Sequence, residues 1–214
     1  MPSQALLSFE KYIRRDVNKL IKAHGLLKSP GMGKQGLGYI TRSGVVALCA
    51  AWETYIEDVL CETVDWMTYY TEKPQDLPRP AKKFLAKHTR EAKNELTPLR
   101  LAGEGWKTLL IDLVNSETDG LNTPKPAKID ELFFRYTGIQ KLSEQWSYGP
   151  DEIRSFVEER GDIAHKGAKA KYTKISHLEY LRDMIRQTTI ETDNFITNDA
   201  KSKYGYQLWR RRTV

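Results

Sequence analysis

The sequence is poor in cysteine. Two of its 214 residues are cysteine, Cys49 and Cys61. They lie twelve positions apart on one predicted helix, about 18 Å along its axis, which is beyond the reach of a disulfide. We therefore interpret both as small buried side chains in a reducing compartment. Because no histidine stands near them in the sequence, they do not favour a zinc site, and we expect no metal and no cofactor.

Long apolar runs are also missing. No stretch approaches the roughly 18 apolar residues that a membrane-spanning helix needs, and the opening residues, MPSQALLSFEKY, lack the apolar segment of a signal peptide. We therefore expect a cytoplasmic protein with no membrane partner. The net charge of +6 and the isoelectric point of about 9.1 favour a polyanionic partner, although many soluble proteins share such values.

Strand signals are almost absent, whereas apolar residues recur at the three- and four-residue spacing of helices along the whole chain. Gly138 is in position to end one of these helices. This predicts an all-α bundle with short inserted helices, a single domain over residues 1–214 with a core of about 1–198 and a basic tail at 199–214. The expected helices cover residues 4–24, 42–72, 80–96, 104–116, 129–136, 139–146, a segment opening at Asp151, and 174–197.

Two segments separate these helices. Residues 31–36, Gly-Met-Gly-Lys-Gln-Gly, match the glycine spacing of a dinucleotide-binding loop. No strand precedes them and no βαβ unit surrounds them, so we interpret this segment as a connection between helices. Residues 122–128, which contain two lysines and two prolines, are expected to form an extended basic connector.

The segment Arg160–Gly167, which reads RGDIAHKG, holds the residues best suited to chemistry. An arginine binds a phosphate through a planar fork of donors, and a histidine transfers a proton near neutral pH. Arg160 and His165 are therefore the minimum set for cutting RNA without a metal. This spacing also arises by chance in a chain with many arginines, which leaves a surface arginine and a satisfied histidine as the alternative.

The spacing of this pair favours two copies of the site. Five positions at 100° each separate the two side chains by about 140° around an ideal helix. They converge only if the helix bends, for which Gly161 offers a weak point, or if a second helix presents another copy. Cleavage needs one group to take the 2′-OH proton and another to protonate the 5′ oxygen, and a two-fold homodimer supplies both.

Other residues are weaker candidates. Glu53, on the long predicted helix, is either an acid that orients the motif arginine or histidine or part of an ordinary polar helix edge. The end of the tail, Trp209 to Arg212, is either a site for nucleic acid or a frayed terminus. Among the remaining histidines, we interpret His24 and His177 as structural and His88 as part of a solvated basic face.

Three blocks of the sequence resemble the HEPN superfamily, and within it the RiboL-PSP-HEPN group. The first, Ala47–Asp58, reads ALCAAWETYIED and is similar to that family's AAWE-x-Y-x-E-D helix. The second runs from Asn122 to Trp146, and the third, Arg160–Gly167, is similar to the motif R-N-x-I-A-H-G. Their order and spacing fit over roughly residues 40 to 170. Gly161 stands where the family has a polar residue.

The resemblance implies an all-α bundle that dimerises through its motif helices and acts as a metal-independent endoribonuclease. Its settings are toxin–antitoxin systems, phage defence or RNA processing, so RNA and an antitoxin protein are the implied partners. Arg160 and His165 match the two motif positions, and Asp162 is the residue that stands in for the missing polar group. Some members of the superfamily are non-catalytic and bind RNA, nucleotides or proteins.

We therefore predict a homodimeric enzyme that cleaves RNA, in which His165 is the acid/base group and Arg160 clamps the phosphate. Asp162 and Glu53 are predicted to orient them. The basic residues predicted to contact the RNA backbone are Lys166, Arg210, Arg211 and Arg212. One alternative is a non-catalytic module of the same family that binds RNA or a protein partner, and another is a purely structural helical dimer.

Overall fold

The structure is a computed structural model that describes residues 1–28, 36–122 and 124–213. In these ranges the chain forms eight α-helices and no strand, so the predicted all-α fold is confirmed. The glycine-rich segment 31–36 lies outside the described residues except for its last glycine. The helices are α1 (Gln4–Tyr12), α2 (Asn18–Leu27), α3 (Gly38–Tyr70), α4 (Arg79–Glu91), α5 (Gly105–Thr118), α6 (Pro126–Thr137), α7 (Gly149–Lys166) and α8 (Ile175–Tyr204).

The long helix α3 is the centre of the bundle. Its 33 residues span about 50 Å, and it packs against α1, α2, α5, α6, α7 and α8. Trp52 on α3 is fully buried and meets Trp146 edge to face, with ring centroids 5.6 Å apart. Gly44 lets α8 approach closely, because a Cβ at this position would overlap the side chain of Leu178. α3 therefore supplies the surface on which the other helices are placed.

The helix that carries the motif, α7, begins with two local signals that suit a helix start. Pro150 occupies its first turn, where a missing N–H costs nothing, and the acidic Asp151 and Glu152 face the positive end of the helix dipole. The helix continues without a break through Gly161 and ends at Gly167, whose φ of +54° favours glycine.

Four predicted boundaries were wrong. Proline fits a first helical turn, so α6 already begins at Pro126 and takes up the second half of the predicted connector. The segment 139–146 forms only a 3₁₀ turn at Leu142–Gln145. The helix expected at 80–96 ends at Glu91, and α8 continues to Tyr204 rather than stopping near residue 197.

The C-terminal segment is tied to the bundle and is not frayed. Trp209 is buried, and its indole N–H donates to the carbonyl of Asp193 at 3.0 Å. Asn194 makes two hydrogen bonds with the backbone of Arg212, at 2.7 and 2.8 Å. The backbone N–H of Arg210 donates to the carbonyl of Met1. The indole of Trp209 is thus packed inside the protein and cannot stack on a base in this conformation.

The sequence predicts no membrane-spanning helix. Among the helices in the described ranges, none is both long enough and apolar enough to serve as a membrane span.

Candidate functional site

Arg160 lies on the side of α7 that faces the core. It is half-buried and shares this side with Ile153, Phe156 and Val157, which pack against the bundle. Burial raises the pKa of the Cys49 thiol on α3 to about 12, the positive charge of Arg160 lowers this pKa, and the carboxylate of Glu53 raises it. Arg160 and Glu53 therefore act on the same point of α3.

His165 points in a different direction from Arg160. It is exposed in the last turn of α7, where a positive charge suits the helix dipole. Because the helix is continuous, the two side chains keep the 140° separation that the spacing predicts. One chain thus presents the arginine at the α3–α7 contact and the histidine to solvent.

The residues next to the motif histidine form a surface ion pair. The ammonium of Lys166 lies 2.8 Å from the carboxylate of Asp162, and both side chains are more than half exposed. Asp162 is two positions, or about 200°, from Arg160 around the helix. Its carboxylate is therefore committed to Lys166 on the outer surface, and the structure does not bring it to the arginine. Gly161 has open space at its Cβ position, with nothing within 4 Å.

Sequence reasoning missed the behaviour of Glu57, one turn after Glu53 on α3. Burial, and after it the nearby carboxylates of Glu53, Asp58 and Asp119, together raise its pKa to about 7. A carboxyl group with this pKa exchanges its proton near neutral pH. The i, i+4 spacing of Glu53 and Glu57 was visible in the sequence, but their shared burial was not.

The terminal arginines divide into two kinds. Arg210 and Arg211 are exposed. Arg212 is half-buried, and its guanidinium lies 3.4 Å from the carboxylate of Glu10. Two of the three terminal arginines that were predicted to contact RNA are therefore open to solvent, and the third is already paired.

His177 was interpreted as structural, yet it forms a pair with a carboxylate on the motif helix. Its Nε2 lies 2.8 Å from the carboxylate of Glu159, to which the hydroxyl of Thr173 also donates at 3.2 Å. No sequence signal links residues 159 and 177, because the turn after α7 brings them together. In the described part of the chain, no three histidine, cysteine or acidic side chains assemble as a candidate metal site.

One comparison with known proteins gives a match. A family model described as RiboL-PSP-HEPN matches residues 9–198, which is most of the chain and includes α3, α6 and α7. No curated protein and no solved structure matches the sequence.

Proposed function

The chain belongs to the RiboL-PSP-HEPN family, and from this premise we propose that it is a metal-independent endoribonuclease whose site forms from two copies of the motif. His165 transfers protons, and Arg160 binds the phosphate at the cleaved bond. The observation that carries the proposal is the placement of these two residues. The arginine is half-buried, and its charge and that of Glu53 both act on Cys49 of α3, whereas the histidine is exposed at the end of the same helix.

The reaction uses the 2′-hydroxyl of RNA as its nucleophile. The 2′ oxygen attacks the phosphorus, the bond from phosphorus to the 5′ oxygen breaks, and a 2′,3′-cyclic phosphate and a free 5′-hydroxyl result. One histidine accepts the 2′-OH proton and a second one donates a proton to the leaving 5′ oxygen. The Arg160 guanidinium donates to the non-bridging oxygens, where charge accumulates in the transition state. DNA lacks the nucleophile and is not a substrate.

Two acidic residues have separate roles in this proposal. Glu53 fixes the direction of Arg160, since both charges act on the same point of α3. Asp162 acts through Lys166 instead, because the ion pair holds the ammonium one residue after His165, where it contacts the RNA backbone. The exposed Arg210 and Arg211 add further backbone contacts.

A homodimer supplies the second histidine. Close to Cys49, the side of α3 that faces solvent carries a row of uncharged side chains. We propose that the two copies meet through their motif helices and that this row extends the contact, because its small members allow the helix of a second copy to approach closely. The row consists of Tyr39, Ser43, Val46 and Ala50.

The setting follows from the family. A cytoplasmic ribonuclease of a toxin–antitoxin, defence or RNA-processing system acts on cellular or phage RNA, and in the first case a protein antitoxin is its partner. A second candidate function is a non-catalytic module that binds RNA or a protein. Gly161 favours this alternative, because it places no side chain next to Arg160 and open space surrounds it.

The test is incubation of the purified protein with a mixed RNA pool in EDTA, beside His165→Ala and the matched substitution His88→Ala on α4. We expect cleavage by the wild type and by His88→Ala, and none by His165→Ala, with all three equally folded by circular dichroism. Cleavage by His165→Ala at the wild-type rate would contradict the assignment. Salt-sensitive RNA binding without cleavage by any of them would select the non-catalytic module.

A further inference from the structure

A pocket lies beside the motif, between α7 and the start of α8. Its volume is about 720 Å³, and neither Arg160 nor His165 lines it. The residues of α7 form one wall, and the segment that follows the motif forms the other. The ionisable side chains that line it are Glu158, Glu159, Asp162, Lys171, Lys174 and His177.

His177 is fixed in this pocket. Its Nε2 lies 2.8 Å from one carboxylate oxygen of Glu159, and the hydroxyl of Thr173 donates to the other oxygen at 3.2 Å. The imidazole also stacks on the ring of Tyr180, with centroids 6.2 Å apart and planes within 20°. Since Nε2 is committed to Glu159, only Nδ1 remains for a ligand. A histidine held by a carboxylate in this way is oriented before any ligand arrives.

Each of the three carboxylates that line the pocket is already paired with a lysine or with His177. Glu158 pairs with Lys125 at 2.9 Å, and Asp162 with Lys166 at 2.8 Å. Two further lysines line the pocket, Lys171 and Lys174, and neither forms an ion pair with any residue in the described ranges. Their positive charges are left to attract an anion.

The wall opposite α7 depends on Gly167, the last residue of the motif. Gly167 has φ +54° and ψ −122°, and its backbone N–H donates to the carbonyl of Ile163. This conformation turns the chain so that residues 170–174 run beside α7, only a few residues after His165. The segment brings Tyr172, whose ring is half-buried, into the lining. An aromatic ring next to unpaired lysines suits a base next to a phosphate.

We propose that this pocket binds a nucleotide of the single-stranded RNA beside the cleaved bond. Lys171, Lys174 and the imidazolium form of His177, whose Nδ1–H donates, contact its phosphate, and the ring of Tyr172 contacts its base. The inference rests on the proposed function only for the identity of the polymer, RNA. It assigns His177 to substrate binding rather than to proton transfer, so the pocket raises affinity and sets which bond of the strand reaches His165.

The experiment measures binding of a fluorescent single-stranded RNA in which every 2′-OH is methylated, so that no cleavage occurs. The proteins are the wild type, His177→Asn, Lys171→Ala/Lys174→Ala, and the charge-matched control Lys11→Ala/Lys19→Ala on α1 and α2. We expect Kd to rise about tenfold for His177→Asn and for the pocket lysine variant, and the control to stay close to wild type. The slope of log K against log[salt] is expected to become shallower by up to about 1.4 for the pocket lysine variant and to stay at the wild-type value for the control.

Three outcomes separate this inference from the proposed function. A wild type that cleaves RNA, with equal Kd values for the pocket and control variants, overturns the pocket and leaves the nuclease. A wild type that cleaves nothing but binds RNA through Lys171, Lys174 and His177 supports the pocket without the nuclease. If adenosine 5′-monophosphate binds as tightly as the RNA and with the same loss in His177→Asn, the pocket serves a free nucleotide and the RNA assignment is wrong. The lysine variant changes only exposed side chains, so it tests the pocket even if His177→Asn does not fold.

Discussion

Arg160 and His165 lie on nearly opposite sides of one unbroken helix, the first half-buried against α3 and the second exposed to solvent. Two groups that must meet at one phosphate cannot both reach it from a single copy held in this way. The helix geometry therefore predicts that the proposed cleavage needs a second chain and that a monomer is inactive.

The dimer is tested by placing a charge on the exposed row of α3. Ala50→Glu puts a carboxylate where the second copy is expected to pack, and burying it without a partner is costly. We expect a monomer by sedimentation velocity and loss of RNA cleavage. The matched variant is Ala86→Glu, which changes another exposed alanine, on α4. A dimeric Ala50→Glu protein, or a monomer with wild-type activity, would contradict the proposed contact.

Gly161 is tested by adding a side chain. Because its Cβ position is open, Gly161→Ala is expected to increase the free energy of unfolding by about 1 kcal/mol, through the better helix propensity of alanine. Gly44→Ala is the opposite control: its Cβ overlaps Leu178, so we expect a loss of about 2 kcal/mol. Urea unfolding measures both. A destabilising Gly161→Ala would mean that the glycine is required by a contact absent from the single chain, such as the dimer.

Glu53 is expected to act through Arg160. Glu53→Gln keeps the shape of the side chain but removes the charge, so Arg160 loses its orienting partner. We expect kcat to fall about tenfold, a rise of about 1.4 kcal/mol in the barrier, with little change in KM. Glu57→Gln, one turn along the same helix, is the matched control and is expected to retain kcat. An equal fall in both variants would show a general effect of charge on α3.

Stability is expected to decrease as pH rises toward neutrality, because of Asp193. Burial raises the pKa of this carboxyl to about 7, although Ser3 donates to it and lowers the pKa in part. The folded state binds the proton more tightly than the unfolded state, whose aspartate titrates near 4. The stability it contributes is therefore fully present below about pH 4 and is lost as pH rises through about 7. Glu57, whose pKa is also raised to about 7, acts in the same direction.

Urea unfolding between pH 4 and 8 checks this slope. Asp193→Asn is expected to flatten it in part, and Asp193→Asn/Glu57→Gln further. Glu95→Gln, an exposed carboxylate, is the control and should keep the wild-type slope. A slope that survives in the double variant would assign the pH dependence to other groups.

Much of the fold followed from the sequence, since the apolar spacing that buries one side of a helix is a local property. The apolar spacing predicted most of the helices. The glycine at 138, whose φ is +73°, predicted where one of them ends. The prediction failed where local preference and tertiary contact disagree. A basic tail was expected at 199–214, its end either a nucleic-acid site or frayed, but α8 continues to Tyr204 and burial of Trp209 against α8 fixes the end.

The candidate site, too, could be predicted from the sequence only in part. The motif and its 140° separation could be read from residues on one helix. The influence of Arg160 on Cys49 depends on how α7 packs against α3, and the pairing of Glu159 with His177 depends on the turn at Gly167. Such contacts join residues far apart in the sequence or across a turn whose direction the sequence does not specify. Asp162 looked suited to orient the arginine, but its nearest cation is Lys166 on its own helix.

The most direct test of the account is the chemistry of the product ends. Wild-type protein is incubated in EDTA with a single RNA oligonucleotide, and the products are weighed by mass spectrometry, with His165→Ala in parallel. We predict one fragment with a 2′,3′-cyclic phosphate and another with a 5′-hydroxyl, their masses summing to that of the substrate, and no products from His165→Ala. Fragments with 5′-phosphate and 3′-hydroxyl ends, or products that persist in His165→Ala, would contradict it.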